Sequence, residues 1–155
     1  MLKIKMKAPN FSLPDQEGNI HSLTDYKGKW VLVYFYPKDE TPGCIKEACA
    51  IRDSWPFFEK LGCVVLGISA DSVKSHDKFV NKYKLPFILL ADENKQVIKK
   101  YGAWQKKKFM GKDYMGIKRI SYLIDPAGKI IKVYLDVKPP EHADEVLGDL
   151  KKFAG

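Results

Sequence analysis

A seven-residue apolar run followed by the start of a helix constrains the fold of this chain most. Residues 30–36 read WVLVYFY, a run of aromatic and β-branched residues that ends at Pro37 and predicts a buried strand. After a short polar loop, Thr41 is a suitable N-cap and Pro42 a suitable first helical residue. The sequence therefore predicts a strand, a loop and a helix in succession, with Cys44 at the third helical position.

The predicted position of Cys44 favours reactivity. A side chain in the first turn of a helix lies near backbone N–H groups that lack intrahelical acceptors and near the positive end of the helix dipole. Both favour the thiolate over the thiol, and the thiolate is the nucleophilic form of cysteine. We therefore predict that Cys44 is a reactive residue rather than an inert core residue.

Cys49 follows five positions later on the same predicted helix. Five residues along an α-helix rise about 7.5 Å and turn through roughly 500°, which separates the two Cα atoms by roughly 8.6 Å. A disulfide tolerates at most about 7 Å. A bridge between Cys44 and Cys49 therefore requires the first turns of the helix to unwind. The helical pattern alone is equally compatible with Cys49 as a core residue.

Residues 36–53, YPKDETPGCIKEACAIRD, resemble the peroxiredoxins, and the spacing of the two cysteines resembles the Q-type, or bacterioferritin comigratory protein, branch. Similar segments extend over nearly the whole chain, at residues 8–13, 68–72, 85–87 and 119–125. The resemblance implies an α/β, thioredoxin-like fold with a mixed central sheet flanked by helices and an N-terminal hairpin. It also implies a thiol-dependent peroxidase that reduces hydrogen peroxide and organic hydroperoxides to water and alcohols.

The resemblance assigns the two cysteines complementary roles. Cys44 would be the peroxidatic cysteine, which becomes a sulfenic acid, and Cys49 the resolving cysteine, which forms an intramolecular disulfide with it. Thioredoxin or a similar dithiol donor would then reduce that disulfide. The implied chemistry uses no metal, haem or flavin cofactor.

Four further residues take implied roles around the sulfur. Thr41 would orient the thiolate and the peroxide, and Pro37 would shield the site from water. Arg119 would stabilise the thiolate and the charge that develops on the peroxide oxygens, and Glu47 would help to hold Arg119. Without the resemblance, Thr41 is explained as a helix cap, Arg119 as a surface charge and Glu47 as a solvated helix residue.

Two other functions stay open at this point. A thioredoxin-type disulfide oxidoreductase uses two cysteines separated by two residues, a motif that this chain lacks. A redox-sensing interaction protein would undergo thiol oxidation without turnover. A measurement of catalytic peroxide turnover distinguishes a peroxidase from both of these proteins.

The sequence context of the third cysteine and of the three histidines does not indicate a functional site. Cys63 begins the apolar run of residues 63–68 and is predicted to pack in the core, although it is the next candidate for resolution if Cys49 is not the resolving residue. His21, His76 and His142 lie far apart in the sequence, and none has a cysteine at metal-ligand spacing. We therefore predict no zinc site.

Length and composition predict one domain over residues 1–155. The chain is 45% hydrophobic, enough for a sizeable core, and no linker or low-complexity segment divides it. It shows neither the apolar region of a secretory signal nor an apolar run near the roughly 18 residues needed to cross a bilayer. We expect a cytoplasmic protein without a membrane partner, either a monomer or a weak homodimer.

The basic composition does not by itself indicate a nucleic-acid partner. The formal net charge is +8, and lysines 106–108 lie near Trp104, Phe109 and Tyr114. Lysines are otherwise scattered along the sequence, and no nucleic-acid-binding motif is present. We interpret the charge as a solvated surface that can attract an acidic reductase partner.

The remaining pattern predicts strands that alternate with helices before a closing hairpin and a last helix. The predicted strands span residues 11–13, 19–22, 30–36, 63–70, 87–90, 119–125 and 130–135. The predicted helices span residues 42–53, 72–83, 95–101 and 141–153, and Pro56 is expected to break or kink the continuation of the first. Residues 102–116 show no clear periodicity and are expected to form a loop that borders the site.

Overall fold

A computed structural model describes residues 2–154. An N-terminal pair of strands is followed by alternating strands and helices, then by four consecutive strands and a last helix. The strands are β1 (Ser12–Pro14), β2 (Ile20–Ser22), β3 (Trp30–Phe35), β4 (Cys63–Ser69), β5 (Ile88–Ala91), β6 (Trp104–Phe109), β7 (Lys112–Ile117), β8 (Ile120–Ile124) and β9 (Ile130–Tyr134). The helices are α1 (Pro42–Asp53), α2 (Trp55–Lys60), α3 (Val73–Tyr83), α4 (Gln96–Lys100) and α5 (His142–Ala154), and a 3₁₀ turn spans Leu23–Tyr26.

A five-stranded mixed sheet forms the centre of the fold, in the order β5-β4-β3-β8-β9. Strands β3, β4 and β5 are parallel to one another, whereas β8 pairs antiparallel with both β3 and β9. The central position of β3 agrees with its apolar sequence, because a strand covered on both faces needs apolar side chains on both. The mixed sheet predicted from the sequence is confirmed.

Successive side chains of β3 enter two separate cores on opposite faces of the sheet. Leu32 and Tyr34 pack among residues of α1, α2, α3 and α5. Val33 and Phe35 pack on the other face, against α4 and the segment that contains β1 and the 3₁₀ turn. Helices therefore cover both faces, and β1 and β2 form the N-terminal hairpin that was predicted.

The elements predicted from the sequence agree with the structure to within one residue at each end. Pro56 interrupts the helix as predicted, since α1 ends at Asp53 and α2 begins at Trp55 with Pro56 in its first turn. Among the described residues, none of the helices has both the length and the hydropathy to cross a membrane.

The predicted loop over residues 102–116 is wrong, because β6 and β7 form an antiparallel hairpin there. Lys106 pairs with Met115 and Lys107 with Tyr114, and a two-residue turn at Met110 and Gly111 joins the strands. Most side chains on both faces of this hairpin are exposed or only partly buried. The strands therefore lack the alternation of apolar and polar residues by which a half-buried strand is recognised.

Candidate active site

The N-terminus of α1 places Cys44 as the sequence predicts. Thr41 is the N-cap residue, and Pro42, Gly43 and Cys44 are the first three helical residues. The Cys44 side chain lies inside the fold, where the residue is 2% exposed. The Cys44 sulfur is therefore at the start of a helix and shielded from bulk water.

The predicted cap by the Thr41 side chain is wrong. Its Oγ1 donates a hydrogen bond to the carbonyl oxygen of Lys38 at 2.8 Å, and it accepts none from the N–H groups of α1. The first turn of α1 is therefore held without a side-chain cap from Thr41.

Arg119 joins the sulfur to a buried carboxylate. Its Nη2 donates to the Cys44 Sγ at 3.4 Å, and its Nη1 donates to Glu47 Oε1 at 2.8 Å. The side chain of Arg119 is 18% exposed and that of Glu47 is 1% exposed. The structure thus brings together Cys44, Glu47 and Arg119, three residues that the sequence analysis selected.

Burial and neighbouring charges together shift the pKa values of Glu47 and Arg119. Burial raises the pKa of Glu47 to about 7, and the nearby Arg119 guanidinium opposes the rise. Burial acts to lower the pKa of Arg119, but Glu47 and Cys44 outweigh it, so the pKa of Arg119 lies above its usual value. Arg119 is therefore a fixed cation within hydrogen-bond reach of the sulfur, the arrangement that stabilises an anionic nucleophile.

Gly43 makes room for the guanidinium. A Cβ atom at this position would lie 3.0 Å from Arg119 Nη2 and 3.7 Å from Pro139 Cγ. The first of these distances is shorter than ordinary van der Waals contact, so any larger residue would press on the guanidinium. Glycine at position 43 therefore allows Arg119 to approach the first turn of α1.

The other predicted site residues lie nearby in the chain but do not share these contacts. Pro37 is partly buried in the loop between β3 and α1, and the hydrogen bond of the Thr41 side chain goes to Lys38. Cys49 is partly buried, and both it and Cys44 are free thiols on the continuous helix α1. The intact helix therefore holds the two sulfurs apart, as the helical spacing predicts.

The sequence analysis missed a buried anchor for the loop before α1. Asp39 Oδ2 accepts hydrogen bonds from His76 Nδ1 at 2.7 Å and from Ser75 Oγ at 2.8 Å, and its Oδ1 accepts one from Tyr36 Oη at 2.6 Å. His76 and Ser75 belong to α3, so this carboxylate ties the loop to another helix. No sequence pattern shows this pairing, because Asp39 and His76 are separated by 37 positions.

In the described part of the chain, one group of side chains has the geometry to hold a metal ion. Asp39, Asp71 and His76 place three ligand atoms within 4.8 Å of one another. Asp71 Oδ2 already accepts hydrogen bonds from the Asp39 backbone N–H at 2.9 Å and from Ser69 Oγ at 2.6 Å. These bonds give the cluster an anchoring role.

Tyr34 is buried, as the strand prediction for residues 30–36 requires, but the sequence analysis gave it no place near the site. Its hydroxyl lacks a hydrogen-bond partner among the described residues, and burial, followed by the charges of Glu47 and Cys44, raises its pKa well above the usual value. Gly67, its neighbour on β4, makes room for the ring, since a Cβ atom there would lie 2.7 Å from Tyr34 Cζ. The Tyr34 hydroxyl is therefore neutral and lies near Glu47, Cys44 and Arg119.

Cys63 lies in the core, as predicted. It is 3% exposed and packs with residues of α1, α2 and α5. Burial raises the pKa of its thiol to about 12. At neutral pH Cys63 is therefore a thiol and a poor nucleophile.

Comparisons with known proteins identify the class to which this fold and site belong. Residues 4–133 match the sequence pattern of the AhpC/TSA family. Peroxiredoxin Bcp of Escherichia coli is 52% identical over 147 residues, which cover 95% of this chain and 94% of that protein. Peroxiredoxin Bcp of Bacillus subtilis is 45% identical over 153 residues, which cover 99% and 98%.

Solved structures agree with the sequence relatives. The bacterioferritin comigratory protein of Xanthomonas campestris superposes with a TM-score of 0.89 at 36% identity, over 94% of this chain and 92% of that one. A mutant of PrxQ from Xylella fastidiosa superposes with a TM-score of 0.94 at 35% identity, over 100% and 99%. The fold and its relatives define a thiol-dependent peroxidase with a thioredoxin-like fold. The chain belongs to the AhpC/TSA family of peroxiredoxins, in its Bcp or Q-type branch.

Proposed function

We propose that Cys44 is the peroxidatic cysteine and Cys49 the resolving cysteine of a peroxidase that thioredoxin or a similar dithiol protein recycles. The observation that carries the proposal is the 3.4 Å contact between Arg119 Nη2 and Cys44 Sγ in the first turn of α1. A fixed cation and a helix N-terminus both favour the thiolate, and both favour negative charge that develops on a peroxide oxygen beside it.

The first step is attack by the Cys44 thiolate on one oxygen of a hydroperoxide. An S–O bond forms, the O–O bond breaks, and the departing oxygen takes the electron pair and a proton to become water or an alcohol. Cys44 is left as a sulfenic acid. Arg119 stabilises the charge on the oxygens, Glu47 holds the guanidinium in place, Thr41 orients the thiolate and peroxide, and Pro37 limits access of water.

The second step joins the two cysteines. The Cys49 sulfur attacks the sulfenic sulfur, an S–S bond forms, the S–O bond breaks, and water leaves. This step requires the start of α1 to unwind, because the intact helix keeps the cysteines too far apart. The absence of a Thr41 side-chain cap weakens the first turn and supports this motion.

The third step restores the two thiols. A dithiol protein attacks the disulfide through a mixed disulfide, its own two thiols become a disulfide, and Cys44 and Cys49 each regain a thiol. In this proposal residues 1–155 form one domain that acts in the cytoplasm as a monomer or a weak homodimer, on hydrogen peroxide and on small organic hydroperoxides.

A coupled assay with thioredoxin, thioredoxin reductase and NADPH tests the proposal. We expect turnover by the wild type, none above background by Cys44→Ser, and one oxidation without turnover by Cys49→Ser. Intact mass and disulfide mapping after one equivalent of peroxide should show a bridge between Cys44 and Cys49 in the wild type. Full turnover by Cys49→Ser, or a bridge to Cys63, would remove Cys49 from the mechanism.

A further inference from the structure

The β6–β7 hairpin forms a two-stranded sheet of its own and displays exposed apolar side chains. In the described part of the chain its two strands pair only with each other. Exposed fractions are 66% for Phe109, 88% for Met110, 46% for Tyr114 and 51% for Met115. These are four of the ten large apolar residues that are exposed between residues 2 and 154. Such a concentration indicates a contact surface.

The turn at the tip of the hairpin is not explained by folding. Met110 has a φ of 52° and Gly111 a φ of 78°, so both occupy the left-handed region. Asparagine or aspartate before glycine suits such a turn, whereas methionine there is strained and buries nothing in return. The most exposed apolar side chain of the hairpin therefore stabilises neither the turn nor the core, which points to a role in contact with another molecule.

The hairpin is also strongly basic. Residues 104–118 contain five lysines and one aspartate, so this tenth of the chain carries half of the formal net charge of +8. Lys106 pairs with Asp113 at 3.1 Å. Among the described residues, no carboxylate lies within 4.0 Å of the Nζ atoms of Lys108 or Lys112. This uncompensated charge attracts an acidic surface.

The base of the hairpin borders the reactive cysteine. Strand β7 ends two residues before Arg119, whose Nη2 donates to the Cys44 Sγ at 3.4 Å. Lys107 Nζ donates a hydrogen bond to the carbonyl oxygen of Ile117 at 3.1 Å, and Arg119 follows two positions later. The exposed residues of the tip lie about 17 Å along the strands from this base, a span that a docked protein of about 100 residues can cover.

We infer that the exposed part of the β6–β7 hairpin docks the reductant, a small dithiol protein with an acidic surface around its thiols. The inference rests on the proposed function, because it names the surface at which that reductant binds. Lysines 106, 108 and 112 attract and orient the partner, and Phe109 and Met110 supply apolar contact area. A basic apolar tip also suits an anionic membrane or a nucleic acid, but the continuity of the hairpin base with Arg119, which contacts Cys44, favours a redox partner.

The test compares a protein reductant with a small one. We would reverse three charges in the hairpin (Lys106→Glu, Lys108→Glu and Lys112→Glu) and, separately, replace the tip residue (Met110→Ser). The control reverses three exposed lysines outside the hairpin, on α2 and α3 (Lys60→Glu, Lys74→Glu and Lys78→Glu). Peroxide turnover is measured with an acidic thioredoxin and its reductase, and with dithiothreitol.

We expect the hairpin reversal to raise the KM for thioredoxin by about tenfold or more, and Met110→Ser by about threefold or more. Turnover with dithiothreitol should stay within about twofold of the wild type, which also shows that the variants are folded. The control should change the KM for thioredoxin far less than the hairpin reversal, because long-range charge effects are screened. Raised salt should increase the wild-type KM and leave that of the hairpin reversal nearly constant.

An unchanged KM in both hairpin variants, or an equal rise in the control, would overturn the docking surface. Binding to anionic vesicles or to nucleic acid that the hairpin reversal abolishes, with no change in KM for thioredoxin, would overturn it too and assign the hairpin to that partner. Failure of the proposed function has a different signature, since the wild type would then show no peroxide turnover even with dithiothreitol.

Discussion

Glu47 and Arg119 form a largely buried salt bridge, with 2.8 Å between Glu47 Oε1 and Arg119 Nη1. The carboxylate approaches the guanidinium from the helix that also carries Cys44, one turn further along. Because the other end of the guanidinium contacts the Cys44 sulfur, the position of Glu47 determines where Arg119 points. In the proposed mechanism the pair therefore supports the nucleophile as well as making a structural contact.

Replacement of Glu47 should slow the reaction with peroxide. Above about pH 7, where Glu47 is ionised, Glu47→Gln removes the charged partner of the guanidinium and leaves a neutral acceptor. At such a pH we expect the second-order rate constant for peroxide to fall roughly 10- to 100-fold. Stopped-flow measurement without a reductant isolates this step. The exposed Glu59→Gln serves as the control and should react like the wild type. An unchanged rate in Glu47→Gln would mean that Arg119 does not need this carboxylate.

The raised pKa of Glu47 predicts a pH dependence of stability. The folded protein holds this proton up to about pH 7, whereas the ordinary pKa of glutamate is 4.5. Between those values the folded state binds more protons than the unfolded state, so the contribution of Glu47 to stability falls as pH rises. In a Cys44→Ser background, the free energy of unfolding relative to the Glu47→Gln double variant should fall by up to about 3 kcal/mol over this window.

Chemical denaturation at several pH values measures that difference. The Cys44→Ser background removes the neighbouring thiol from both proteins. A difference that rises with pH would show that Arg119 lowers the pKa of Glu47 more than burial raises it.

Gly43→Ala should slow the reaction with peroxide while changing the free energy of unfolding only slightly. Alanine favours a helix over glycine by about 1 kcal/mol, but its Cβ would lie 3.0 Å from Arg119 Nη2 and displace the guanidinium. We expect a change in unfolding free energy below about 1 kcal/mol together with a loss of roughly tenfold or more in the peroxide rate.

Gly148→Ala in α5 is the matched control, because nothing lies within 4 Å of a Cβ atom there. This variant should be more stable by about 0.5 to 1 kcal/mol and react with peroxide at the wild-type rate. Equal peroxide rates in the two glycine variants would contradict the role given to Gly43.

Cys63→Ala should affect stability and leave catalysis intact. The buried thiol, with a pKa of about 12, is not ionised at neutral pH, and its removal leaves a small cavity in the core. We expect a loss of about 1 kcal/mol or more in unfolding free energy and full turnover with thioredoxin. Slower turnover in this variant, at unchanged peroxide oxidation, would implicate Cys63 in resolution.

The elements around Cys44 could be predicted because their signals are local. The apolar run of β3 and the prolines at positions 37 and 42 fix a strand, a loop and a helix within one short segment. The central sheet follows from similar runs, such as that of β4. In these segments the local propensity and the pattern of buried residues favour the same secondary structure, so the sequence pattern is sufficient to predict it.

The supports of the site could not be predicted because they join distant parts of the chain. The contact between Asp39 and His76 crosses 37 positions, and each residue has an ordinary local context. Glu47 and Arg119 were paired only through the resemblance to peroxiredoxins, since their sequence separation is 72. The β6–β7 hairpin escaped prediction for another reason, because its exposed faces carry no apolar periodicity.

The most direct test of this account is the reaction of Cys44 alone with peroxide. The double variant Cys49→Ser with Cys63→Ala retains Cys44 as its only cysteine, and Cys44→Ser retains the other two. Stopped-flow mixing with hydrogen peroxide, followed by intact mass, measures the rate and the product in each. The account predicts that the Cys44-only protein consumes one equivalent far faster than a free thiol and forms a sulfenic acid, while Cys44→Ser reacts no faster than a free thiol. Equal rates in the two proteins would contradict it.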